Sequence, residues 1–248
     1  MTLSTIPRSR AGCPADDRMK TFFASSKNGE LSRKPAMNCT VSKKSASGKI
    51  RSRYIATPDG IRFRSQPEAY AVRQVREYWF SDIRPDDVVV DIGANMGAFC
   101  IRAAKMARKV FAAEPVTVND LRENIRLNGA DIEVLDGALG SGGVQPIEWD
   151  GVLVMKQTYP LREIREMAGG CDFLKCDCEG AEWSIIPEDL QSVRRIEMEL
   201  HMPPICGPIN RRLLDYISAH YRFVIDRLPC HAVMGVMGVL HAERIRPQ

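Results

Sequence analysis

The spacing of apolar and polar residues changes several times along the 248-residue chain, and each change marks an element. Tyr54 to Arg64 carries two alternating runs around Pro58-Asp59-Gly60, which predicts a hairpin. Over residues 67–80, Pro67 sits in a first-turn position and Ala71, Val72, Val75, Tyr78 and Trp79 follow at helical spacing. Strand-like and helix-like segments then alternate. Val88–Ile92, Val110–Ala113, Glu133–Leu135, Phe173–Cys176 and Val193–Leu200 read as strands of the buried type. Ala98–Met106, Val118–Asn128 (closed by Gly129) and Leu161–Met167 read as the helices between them. Arg211–His220 predicts a last helix before two closing strands, Phe223–Asp226 and Gly238–Ala242. This alternation predicts a doubly wound α/β sheet, mostly parallel, with an antiparallel strand near one edge. Residues 1–50 are rich in Ser, Lys, Arg, Pro and Gly and lack an apolar period, so a disordered tail is expected there. Residues 51–248 form the expected folded domain.

Charge separates the same two parts. Residues 1–53 hold 12 Lys/Arg and 3 Asp/Glu, a net of +9, while the remaining 195 hold 23 and 28, a net of −5. An acidic body is not built to lie along a phosphate backbone, so nucleic acid contact is expected through the basic tail only. The uncharged run His231–His241 is too short to span a bilayer, and no membrane association is expected. The N-terminus has no apolar h-region, and eight cysteines at irregular spacing read as reduced thiols, which together point to the cytoplasm.

Candidate chemistry begins where the first buried strand runs into D-I-G-A-N-M-G, Asp91 to Gly97. A pyrophosphate cradle wants G-x-G-x-x-G, but only Gly93 and Gly97 are present, and Asp91 would repel a pyrophosphate while suiting a cationic or amine-bearing ligand. Twenty-three residues after Asp91, the next strand ends in A-A-E-P, placing Glu114 where a carboxylate accepts both ribose hydroxyls. A ribose without phosphates, carrying an amino-acid end, describes S-adenosylmethionine. A third stretch, D-F-L-K-C-D-C-E-G-A-E-W-S from Asp172 to Ser184, crowds charges and two cysteines together. Strand alternation puts Cys176 and Cys178 on the face opposite Lys175 and Asp177, so the cysteines read as core packing and not as a zinc pair.

In these motifs the chain resembles the FkbM-type S-adenosylmethionine-dependent methyltransferases. V-V-V-D-I-G-A-N-M-G-A-F (Val88–Phe99) and V-F-A-A-E-P (Val110–Pro115) are similar to the family's first two motifs, and L-R-E-N-I-R-L-N-G (Leu121–Gly129) to the helix that follows. F-L-K-C-D-C-E-G-A-E (Phe173–Glu182) and E-L-H (Glu199–His201) resemble its more distinctive stretches, with Cys176 and Cys178 standing where aliphatic residues are usual. The resemblance implies a class I methyltransferase (Rossmann-like) fold, a seven-stranded sheet in the order 3-2-1-4-5-7-6. It also implies methyl transfer to an oxygen, often a hydroxyl of a sugar or secondary metabolite.

On that basis cofactor contacts are expected from Asp91, Gly93, Asn95, Gly97, Glu114, Asp136 and Ala138. The acceptor, a small molecule or glycan, is expected over the ends of the fourth and fifth strands, near Lys175, Glu179 and Glu182. His201, Asp177 and Glu199 are the catalytic candidates. Losing a hydroxyl proton calls for a general base, and His201 has the suitable ordinary pKa, with Glu199 on the same strand face to raise its basicity. Asp177 is the other candidate base. No metal is expected, although Asp177, Glu179, Glu199 and His201 together could hold a divalent cation that orients substrate hydroxyls. Methylation of RNA ribose or of protein, and a non-catalytic module that kept the fold, stay open as alternatives.

Overall fold

The computed structural model describes residues 54–64, 77–204, 206–228, 231 and 235–245. The expected tail and most of the helix expected over 67–80 lie outside the described residues. Strands β1 (Tyr54–Ala56) and β2 (Arg62–Arg64) pair as the expected hairpin, with Ile55 opposite Phe63. The main sheet follows with β3 (Val88–Ile92), α1 (Cys100–Ala103), β4 (Lys109–Ala113), α2 (Val118–Asn128) and β5 (Glu133–Leu135). Then come β6 (Ala138–Leu139), β7 (Gly143–Trp149), β8 (Val152–Tyr159), α3 (Leu161–Ala168) and β9 (Phe173–Cys176). The last elements are β10 (Arg195–His201), α4 (Arg211–His220), β11 (Tyr221–Asp226) and β12 (Val236–Arg244).

Seven strands lie in the order β11-β12-β10-β9-β3-β4-β5. Numbered along the chain within this sheet, that is 6-7-5-4-1-2-3. β3, β4, β5, β9 and β10 pair in parallel, and β12 runs antiparallel to both β10 and β11. Successive residues of β3 feed opposite layers: Val88, Val90 and Ile92 join one buried cluster and Val89 the other. Phe173 and Leu174 divide in the same way, so the central strands are covered on both faces. Leu174, Cys176 and the partly buried Cys178 pack with the first cluster, the cysteine packing that alternation predicts.

One element was not expected. Between β5 and α3, β7 and β8 form an antiparallel hairpin whose return strand pairs with β6, making a separate sheet of order β6-β8-β7. Its tip is Asp150-Gly151, both at positive φ (49° and 74°), the geometry that Asp-Gly turns favour. Among the described residues no helix is long and apolar enough to cross a membrane.

Candidate active site

A cleft opens beyond the carboxyl ends of β3, β4 and β9. Gly93 and Asn95 line it from the turn after β3, Glu114 from the end of β4, and Ala138 from β6. Ile147 and Trp149 line it from the hairpin, and Asp177 and Glu179 from the loop after β9. Six of the residues expected at the site from sequence are therefore brought together: Gly93, Asn95, Glu114, Ala138, Asp177 and Glu179.

The Gly93–Asn95 turn connects two walls. The Asn95 amide donates to Glu114 Oε2 at 2.7 Å, and the Val116 and Thr117 amides donate to Oε1 at 2.7 and 2.9 Å. A carboxylate has about four acceptor positions, so one lone pair, on Oε2, is left for a ligand hydroxyl. Glu114 as arranged can thus take one ribose hydroxyl and not the expected two. Gly93 faces the other wall. A Cβ built there would lie 1.7 Å from the Asp177 carbonyl oxygen, so the absent side chain serves backbone-to-backbone contact between the β3 turn and the loop after β9. Gly97 is not on the cleft; its φ of +92° is what favours glycine there, and a Cβ would also crowd the side-chain ends of Ile101 and Leu121 at 2.9 Å.

Asp91 and Lys175 also depart from expectation. They are register partners on β3 and β9, both completely buried, with Lys175 Nζ 3.1 Å from Asp91 Oδ1 as a charge contact without hydrogen-bond alignment. Lys175 Nζ donates to the Gly93 carbonyl at 2.7 Å and lies 4.0 Å from Asp177 Oδ2. Burial alone would lower the Lys175 pKa, but Asp91 and Asp177 outweigh it and hold the ammonium above its ordinary value. Asp91 therefore neutralises Lys175 beneath the floor, and neither lines the cleft. Asp136 is engaged as well, in an ion pair with Lys156 of β8, and does not line the cleft.

Asp177, buried at the end of β9, lines the cleft and is held by its neighbours. Tyr78 Oη donates to its Oδ2 at 3.0 Å. Burial would raise the Asp177 pKa, but Lys175, a hydrogen bond from Glu199, His201 and the Tyr78 hydroxyl together keep it below the usual value. Its neighbour goes the other way. Burial first, then the Asp177 charge, push Glu199 up to about 9, so Glu199 is the protonated member of this carboxyl pair.

His201, 1% exposed, stands behind these groups. Its Nδ1 lies 3.0 Å from Glu182 Oε1, which also accepts the His201 amide at 2.8 Å, and its Nε2 lies 3.3 Å from Glu179 Oε2. Burial alone would lower its pKa, but hydrogen bonds to Glu179 and Glu182 outweigh that and raise it to about 11. An imidazolium donating from both nitrogens has no lone pair for a substrate proton, which counts against His201 as the base. Glu182, fully buried, fixes the ring and does not line the cleft. The carboxylate neighbour expected from Glu199 is the more distant one, at 3.6 Å from Nε2.

Both raised groups have the same sign in folding. The contribution of Glu199 is full below its unfolded pKa near 4.5 and is lost as pH rises toward 9; that of His201 is full below 6.5 and is lost toward 11. Melting temperature is therefore expected to fall by roughly 5 °C between pH 6.5 and 9. Glu199→Gln, whose amide can still donate to Asp177, should flatten that fall in thermal melts across the same range. An unchanged slope would mean that Glu199 is ionised in the native state.

Among the described residues two clusters bring ligand-type atoms within 4.8 Å of one another: Asp177, Glu179 and His201, and Glu77, Glu199 and His231. In the first, His201 turns Nδ1 to Glu182 and Nε2 to Glu179. His231 Nδ1 accepts the Leu228 amide at 3.1 Å, which leaves the ring proton on Nε2, the atom 3.9 Å from Glu199. Sequence reasoning missed two other residues of the site. Tyr78 was read only as an apolar helix position, and Trp149 belongs to the unpredicted hairpin, for which Asp150-Gly151 was the available signal.

The strand order 3-2-1-4-5-7-6, with the seventh strand antiparallel, is that of the Rossmann-like class I methyltransferases, and the chain has this fold. No family model matches the chain. It is 46% identical over 55 residues to an uncharacterised protein of Methanocaldococcus jannaschii, a match that spans 21% of each chain. Solved structures similar to it include an rRNA methylase from Streptococcus thermophilus, at 9% identity over 73% of this chain and 100% of that one, with a TM-score of 0.47. A precorrin-6y C5,15-methyltransferase from Geobacter metallireducens matches at 14% identity over 74% and 94%, with a TM-score of 0.45. At such scores the likenesses add nothing to the strand order, on which the fold assignment rests.

Proposed function

We propose that this chain is an S-adenosylmethionine-dependent methyltransferase of the FkbM type, acting on a hydroxyl oxygen of a sugar or other small metabolite. The observation that carries this reading is a single cleft in which one turn touches both Glu114, through the Asn95 amide, and Asp177, at Gly93. The spare acceptor position of Glu114 and the acidic lining suit a ribose attached to a cationic group, so the residues fit this cofactor. Gly93, Asn95, Glu114 and Ala138 would hold it, and when bound it supplies a methyl group on a positively charged sulfur.

The chain's own residues do the rest. Asp177 receives the acceptor's hydroxyl proton as the oxygen forms its new bond. Tyr78, Glu199 and Lys175 hold that carboxylate in place, so that much of the acceleration comes from positioning. Glu179, with a side chain 42% exposed, orients the acceptor from the loop, while His201 and Glu182 brace it from behind. His201 is then a positioning residue and not the base.

The full chain should bind S-adenosylhomocysteine one-to-one in a calorimetric titration. With methyl-labelled S-adenosylmethionine and a cell extract, label should enter a fraction resistant to nuclease and protease. Absence of binding would sink the methyltransferase reading. Label released by nuclease would keep the enzyme and replace the small acceptor by RNA.

A further inference from the structure

We propose that the β7–β8 hairpin is the wall that recognises the nucleobase, with Trp149 as the side chain on which the base stacks. The inference deepens the methyltransferase reading and rests on it for the identity of the nucleoside. Cross-strand partners share a face in an antiparallel ladder. Trp149 pairs with Val152 and Ile147 with Val154, while Pro146 and Met155, and Glu148 and Leu153, pair on the opposite face. Ile147, Glu148 and Trp149 line the cleft, Ile147 and Trp149 being half-buried and Glu148 exposed, whereas Leu153 and Met155 on the other face are 65% and 62% exposed and do not line it. The face carrying the indole is thus the one turned to the cleft.

The hairpin is anchored where such a wall needs support. β8 pairs with β6 through Ala138–Thr158 and Leu139–Tyr159, and Thr158 Oγ1 accepts the Gly142 amide and donates to the Gly143 carbonyl, both at 3.1 Å. Ala138 and Leu139 also line the cleft, so apolar lining and the indole are set on one small sheet and share the cleft with Glu114. Apolar and aromatic lining beside an acceptor for a sugar hydroxyl is what a base joined to ribose needs.

The other two tryptophans have structural partners. Trp79 stacks on His241 with centroids 4.3 Å apart, and Trp183 Nε1 donates to the His201 carbonyl at 2.9 Å. Among the described residues no aromatic ring or cation lies against Trp149, which is half-buried on the cleft lining. Stacking of a base on an aromatic side chain is sequence-tolerant and corresponds to a loss of roughly 5- to 150-fold in affinity when the ring is removed.

The test uses the full chain, its Trp149→Phe and Trp149→Ala variants, and two probes, S-adenosylhomocysteine and adenosine. Affinity is read by calorimetry, tryptophan emission by fluorescence, and folding by melting temperature. Both probes should perturb the emission of the unaltered chain. Trp149→Phe should bind within about threefold but lose the emission change, and Trp149→Ala should lose the affinity stated above for both probes. If Trp149→Ala, with an unchanged melt, binds within about twofold of the unaltered chain, or if the emission change survives in Trp149→Phe, the hairpin assignment is wrong while the methyltransferase reading stands. If adenosine binds in a Trp149-dependent way and S-adenosylhomocysteine does not, the assignment stands and the methyltransferase reading falls. If neither probe binds, both are overturned.

Discussion

The Asp177→Asn variant should bind S-adenosylhomocysteine as the unaltered chain does and yet transfer methyl groups about 10²–10⁴-fold more slowly, the usual cost of losing a general base. The amide can still accept from Tyr78 Oη, and Lys175 keeps Asp91 at 3.1 Å, so the floor should retain its shape. The residual rate has an identifiable source. The Asp177 charge is part of what holds Glu199 near 9, and without it Glu199 ionises more readily and becomes a substitute base. Asp177→Asn combined with Glu199→Gln should therefore be slower than either change alone. Single-turnover rates with labelled cofactor separate these cases. His201→Gln gives the contrast, since its amide can still donate to Glu182. If His201→Gln is the slower of the two single variants, the base role returns to the histidine.

Gly93→Ala should have the largest effect on the fold. Its Cβ would fall 1.7 Å from a backbone oxygen that no rotamer change can move, at a φ of +72° that disfavours a side chain anyway. Gly129, which caps α2 at a φ of +59°, has open space around the same built atom and isolates the conformational cost, roughly 1–2 kcal/mol for a residue forced into the left-handed region. Gly129→Ala should lower the melting temperature by a few degrees, whereas Gly93→Ala should lower it by roughly 10 °C or more or prevent recovery of folded protein. Matched melting curves of the two variants decide the matter. Equal shifts would mean that the β3 turn can move away from Asp177, and the tie between cofactor and catalytic walls would be loose.

The positions of the main strands, and which motif ends which strand, could be read from sequence because periodicity and turn residues are local signals. That is why Gly93, Asn95, Glu114, Asp177 and Glu179 could be placed at one end of the sheet. Pairing is not local. Alternation put Lys175 on the same face as Asp177, but only the β3–β9 register, 84 residues apart, reveals Asp91 opposite it and turns an expected substrate contact into a buried ion pair. His201 shows the same limit. Its strand face was legible, whereas its main partner, Glu182, comes from the loop after β9. The β7–β8 hairpin had its signal in Asp150-Gly151 but was obscured by Pro146, which reads as a strand breaker. β7 is an edge strand, where a missing amide donor costs no ladder bond.

Residues 77–83 precede the first strand of the main sheet, and they seal its charged face. Tyr78 donates to Asp177, the Trp79 amide donates to Glu197 Oε2 at 3.1 Å, and Arg195 lies 5.0 Å over the Trp79 ring. A fragment begun at Val88 would keep all seven strands and still open Glu197, Asp177 and Lys175 to water from that side. The smallest intact piece of this fold is therefore longer than its sheet: a boundary drawn from the strand pattern would remove the residues that cover its charged face.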